Sequence, residues 1–182
     1  MVTYVSMLRG INVGGINVRM NELKELYTSL GFEDVNTYIQ SGNVIFKSNN
    51  PDASELKDKI KNKIEEVLRF DAMVLILTKI ELKNVIDGNH LIEEDSKHLY
   101  VTFLSELPSE NLIKDLKLNL EVNWKNKSEK FSISPMIVYL YLPEGYGKTK
   151  LNNNFFEKKL GVSATTRNWR TVNKLYNIAE SL

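Results

Sequence analysis

A chain of 182 residues, 42% of them hydrophobic, can bury the core of one domain or of two small lobes, which excludes a disordered chain. Its 24 Lys and Arg against 23 Asp and Glu leave a net charge of +1. That excludes the strongly basic balance of a non-specific nucleic-acid binder, so any affinity for anions must come from local clustering. With no cysteine there is no disulfide, thiolate nucleophile or zinc–thiolate site, and a reducing compartment is expected.

The two histidines, His90 and His98, make no metal-ligand cluster, and no metal or cofactor is expected. Met1 leads into a mixed strand containing Arg9, without a basic segment before an apolar one. No apolar run approaches the ~18 residues of a membrane span. A cytoplasmic location with no membrane partner follows as the expectation.

In chain order, Tyr4 to Leu8 reads as a strand. Leu23, Leu26, Tyr27 and Leu30 then recur at helical spacing until Gly31 stops the helix. Val35 to Gln40 and Asn43 to Lys47 are β-rich runs joined through Ser41-Gly42, the composition of a hairpin connection. Asp52 with Glu55 three residues later marks a helix start, and Leu56, Ile60, Ile64 and Val67 form its apolar stripe. Ala72 to Leu77 is a buried strand, so the first lobe reads β-α-β-β-α-β, the split βαβ order of a ferredoxin-like fold.

Lys79 to Lys97 is more polar, holds one short helical pattern, and places a lobe boundary near Asp87-Gly88-Asn89. The strand Leu99 to Leu104 precedes a helix that starts at Pro108 and buries Leu112, Ile113 and Leu116. Glu121 to Lys125 is expected to pair with Phe131 to Ser134 across a charged turn, and Ile137 to Leu142 is a further strand. Asn152 to Leu160 is a helix, and Thr165-Thr166-Arg167-Asn168-Trp169 reads as the opening of the last one. The predicted class is α+β, with two ferredoxin-like lobes, residues 1–80 and 81–182, mainly antiparallel sheets, and a less regular second lobe.

Two glycine-containing regions carry the candidate site. Ile11 to Val18 reads Ile-Asn-Val-Gly-Gly-Ile-Asn-Val. It supports either a tight hairpin about Gly14-Gly15 or a loop whose backbone N–H groups meet an anion, with Arg9 supplying charge. In Gly145-Tyr146-Gly147-Lys148-Thr149-Lys150 the context resembles a phosphate loop, but Leu142 stands where a P-loop needs its first glycine. The segment is either a solvated turn or an anion-binding turn without P-loop chemistry. Arg167 and Arg170 beside the last helix start are a third cationic group. The candidate ligand-binding residues are Arg9, Gly10, Asn12, Gly14, Gly15, Gln40, Ser41, Asn43, Lys148, Lys150, Arg167 and Asn168. No catalytic residue is identifiable.

Leu8 to Gly15, Thr37 to Phe46, Gly145 to Leu151 and Thr165 to Leu175 together resemble a bacterial family filed as a domain of unknown function. Its members open with LRGINVGG, continue with TYIQSGNV and close with TRNW. The resemblance runs nearly the whole chain in matching order and implies a cytoplasmic bacterial α/β protein whose loops belong to one set. It implies no activity. Members often carry lysine after the double glycine, where this chain has Ile16, and asparagine after TRNW, where it has Arg170.

Three functional readings follow. The first is a module that binds a phosphorylated small molecule or nucleotide in a cleft between loops. The second is a metal-independent enzyme acting on a small anionic substrate. The third is an interaction module for nucleic acid or protein, as a monomer or a homodimer.

Overall fold

Residues 1–12, 17–124 and 128–182 are described by the computed structural model of the protein. They form two units. The first comprises Met1–Asn84 and Asn173–Leu182, and the second Val85–Val172.

The first unit runs β1 (Val2–Arg9), α1 (Met20–Ser29), β2 (Glu33–Tyr38), β3 (Asn43–Ser48), α2 (Ala53–Leu68) and β4 (Met73–Thr78), followed directly by α3 (Lys79–Asp87). Its strands form an antiparallel sheet in the order β2-β3-β1-β4. β3 therefore lies between β1 and β2, which is the split βαβ arrangement. Side chains alternate along a strand, so Tyr4, Ser6 and Leu8 face the α1 and α2 side, where Leu23, Leu26, Ile60 and Ile64 complete the core. Val5, Met7 and Arg9 take the opposite face.

Aromatic rings fill that core. Phe46 stacks on Phe32 at 4.4 Å between centroids and meets Tyr27 edge-on at 5.4 Å, contacts each worth about 0.5–1.5 kcal/mol beyond burial. Tyr27 keeps its hydroxyl satisfied by sharing a 2.8 Å hydrogen bond with Ser6 Oγ. As the spacing of Asp52 and Glu55 predicts, Asp52 caps α2 by accepting from the N–H groups of Ser54 and Glu55.

The second unit runs β5 (Leu99–Leu104), α4 (Glu110–Asn123), β6 (Lys130–Ser134), β7 (Ile137–Tyr141), α5 (Asn153–Leu160) and β8 (Ala164–Asn168), followed directly by α6 (Trp169–Ser181). Its sheet is again antiparallel, in the order β6-β7-β5-β8. Element for element this is the order of the first unit. Leu104, Leu116, Leu120, Val138, Leu140 and Phe156 make its core.

Four local expectations are corrected. Val67 is not part of the buried stripe of α2 and Leu112 is not buried in α4; both side chains are exposed, because they lie at the edge of the helix face that meets the sheet. Glu121 to Asn123 belong to α4, because Leu116 and Leu120 continue the buried stripe begun at Ile113 and Ser109 caps the helix. β6 pairs instead with β7, across Pro135-Met136. Thr165 to Asn168 are not the opening of a helix. They lie in β8, where Thr166 is opposite Thr102 and Arg167 is opposite Val101, and β-branched threonines suit that pleated position. Among the described residues no helix is long and apolar enough to cross a membrane.

Candidate functional site

At the Arg9 end of the first sheet, the connection after β1 and the turn between β2 and β3 are bound together. The Leu8 N–H donates to Gly42 O at 2.8 Å. Asn12, at φ +55°, donates through Nδ2 to Gln40 O at 2.8 Å and to Val18 O at 3.2 Å. Its Oδ1 accepts from the Val18 N–H at 2.8 Å. One side chain thus fastens both ends of the connection 12–18 and joins it to the turn. Gly14 and Gly15 lie outside the described residues.

The turn is residues 39–42. Asn43, fully buried at its foot, donates through Nδ2 to Tyr38 O at 3.1 Å and to Ser41 Oγ at 2.8 Å. Gly42 has φ +68°, and a Cβ built there would stand 2.9 Å from Leu8 Cβ. Only glycine fits so close an approach. Arg9 and Gly10 are half-buried, while Ile39 and Gln40 are exposed. The corner therefore brings together six of the sequence candidates: Arg9, Gly10, Asn12, Gln40, Ser41 and Asn43. Its side chains are amides, a hydroxyl and a guanidinium, groups that bind by hydrogen bonding and charge.

The second unit supplies an internal comparison. Its Leu104 N–H donates to Met136 O at 3.0 Å, the counterpart of the Leu8–Gly42 bond, and the registers match Asn43 with Ile137. The counterpart of Arg9 is Ser105, and that of Gly42 is Met136. The corresponding links are shorter, residues 105–109 and Pro135-Met136, against residues 10–19 and 39–42.

The four candidates of the second unit have different surroundings. Lys148 and Lys150 are exposed on the turn after β7, where Thr149 Oγ1 accepts from the Leu151 N–H at 2.9 Å. Asn168 caps α6, its Oδ1 accepting from the Thr171 N–H at 2.8 Å. Arg167 is 9% exposed and donates to Thr165 Oγ1 at 2.8 Å and to Thr166 O at 3.0 Å. Burial pulls the guanidinium down to about 10, against an opposing effect of Tyr146, so it stays a cation at neutral pH.

Sequence reading missed a hydroxyl cluster on the other side of β8. Thr166 Oγ1 bonds Thr102 Oγ1 at 2.8 Å, donates to Asn153 Oδ1 at 2.7 Å, and accepts from the Tyr146 hydroxyl at 3.2 Å. The Tyr146 oxygen in turn accepts from the Asn153 N–H at 3.0 Å. The cluster fixes the glycine-containing turn to α5 and β8. No local signal marks it, since the residues converge only through strand pairing.

The family model described as "Protein of unknown function (DUF1697)" matches residues 1–139, a span that includes the whole polar corner. Among solved structures the chain is similar to a conserved bacterial protein, SP0830 from Streptococcus pneumoniae. The identity is 25%, the similarity covers 99% of each chain, and the TM-score is 0.73. No curated protein matches the chain. The extent of the family match and the agreement of fold along the chain establish that this protein belongs to the family of unknown function DUF1697.

Proposed function

We propose that the protein binds a phosphorylated small molecule or nucleotide, and that the polar corner of the first unit holds its anionic part. Arg9 supplies the charge and the planar fork suited to phosphate oxygens. Gln40 and Ser41 supply further hydrogen-bonding groups. Asn12 and Asn43 spend their amides on backbone and on Ser41, which makes them positioning residues that hold the contacting groups in place before the ligand arrives.

The observation that carries this reading is the internal comparison. The same strand order closes the same corner in the second unit with Ser105 in the place of Arg9, so the strand order itself does not demand an arginine there. A guanidinium that the strand order does not demand is one that a ligand can select.

Thermal unfolding against nucleotides, sugar phosphates and inorganic phosphate tests it. A ligand at one hundred times its dissociation constant adds about 2.7 kcal/mol of apparent stability. The expected result is such a shift with phosphorylated compounds and its loss in Arg9→Ala, with partial retention in Arg9→Lys. A shift that survives Arg9→Ala, or no shift with any phosphorylated compound, refutes the assignment.

A further inference from the structure

The turn that carries Gln40 and Ser41 begins with a residue that its backbone does not favour. Ile39 has φ +50°, a conformation in which a β-branched side chain is a genuine outlier. Among the described residues, the other non-glycine ones at positive φ have local reasons for it. Asn12 and Asp34 are of the types that tolerate this region, and Arg69 is the C-cap of α2.

The Ile39 side chain is 49% exposed, so burial offsets only part of the strain. The conformation is imposed from both sides, because Asn43 holds Tyr38 O and Asn12 holds Gln40 O. In the second unit the equivalent turn, Pro135-Met136, has no positive φ. Asparagine or glycine at position 39 would satisfy the same turn at lower cost. Strain held at a surface loop by surrounding hydrogen bonds is characteristic of binding sites.

We infer that Ile39 is a specificity contact for a flat apolar part of the ligand, so that the ligand of this corner is a nucleotide and not a bare phosphate or sugar phosphate. The inference rests on the anion-binding reading of the same corner. A nucleotide matches the mixture of groups: phosphate for Arg9, a base face for Ile39, and a polar base edge for the exposed Gln40 amide, which both donates and accepts.

The test uses the full chain, with thermal midpoints recorded alone and with inorganic phosphate, ribose 5-phosphate and each of the four nucleoside monophosphates. In the natural protein at least one monophosphate shifts the midpoint further than ribose 5-phosphate. Ile39→Asn raises the unliganded midpoint, reduces that monophosphate to the ribose 5-phosphate level, and leaves the ribose 5-phosphate shift unchanged. Ile39→Val, which keeps an apolar β-branched side chain, preserves the difference. Equal shifts with ribose 5-phosphate and all monophosphates, or an advantage that survives Ile39→Asn, overturn the contact while the anion site stands. Loss of both shifts in Ile39→Asn assigns the residue to holding the turn and also overturns it. Absence of any shift in the natural protein removes the anion site itself, and the Ile39 contact with it.

Discussion

Gly42 and Arg9 illustrate two ways in which one side chain can decide a local structure. Gly42 is fixed by geometry: its positive φ and the 2.9 Å approach to Leu8 Cβ leave no room for a methyl group. Gly42→Ala combines a left-handed backbone cost with local overpacking, and a loss of about 2–4 kcal/mol is expected. Urea unfolding at an unchanged m-value checks it, and a loss under 0.5 kcal/mol, the range of a neutral surface substitution, contradicts the geometry. Arg9 is fixed by no such demand, since the matching position carries Ser105. The sequence shows the glycine and the arginine equally plainly. It does not show that one is required by packing and the other is not, because that difference lies in the distance to Leu8 and in the comparison with the second sheet.

At the scale of elements, the Asp52 cap, the apolar stripe of α1, that of α2 as far as Ile64 and the alternation in β1 were legible because each is encoded within a few residues. β8 was not. Thr165, Thr166 and Asn168 all suit a helix start, and what makes a strand of them is β5, far away in sequence, which supplies the pairing. The same pairing hides Arg167, whose burial depends on which face of a five-residue strand it occupies. The far end of α4 failed similarly: Glu121-Val122-Asn123-Trp124 alternates like a strand, but burial of Leu116 and Leu120 keeps the helix going. Asn168 was a candidate ligand residue, and its side chain serves as the cap of α6. Asn168→Ala is therefore expected to cost about 1 kcal/mol while Asn168→Ser restores most of it. Chemical unfolding with and without a shifting nucleotide checks both points, and a nucleotide shift lost in Asn168→Ser, which keeps a cap, would return the residue to the binding site.

At the scale of the whole molecule, the repeated order of elements was only partly visible. The two halves share strand order and hydrogen-bond register but no recognisable sequence repeat, because a sheet face demands apolar character and not particular residues. Each unit buries a phenol. Tyr27 in the first and Tyr139 in the second are both held above their ordinary pKa by burial, and the Tyr139 hydroxyl donates to Val85 O at 2.8 Å. Above about pH 10 an unfolded chain releases phenolic protons that the folded one retains. The unfolded state then binds fewer protons, and stability falls as pH rises. The urea midpoint is thus expected to be insensitive to these two phenols from pH 7 to 9 and to drop between pH 10 and 11. Tyr27→Phe lowers the midpoint at pH 8 through loss of the Ser6 hydrogen bond but shows a shallower alkaline drop. An alkaline drop as steep as that of the natural protein would dissociate it from Tyr27.

The division of the chain has a consequence for synthesis. Residues 173–182 belong to the unit that begins at Met1, and they bring to it Leu175 and Ala179, both fully buried, and Tyr176, whose ring lies under the Lys83 ammonium at 6.0 Å. On a ribosome adding about 5–20 residues per second, the first unit has all four of its strands once β4 emerges, yet lacks residues 173–182 until α6 follows. The second unit has its whole sequence available before then. Of the two units, the one whose strands are made earlier is thus the one whose sequence is completed later.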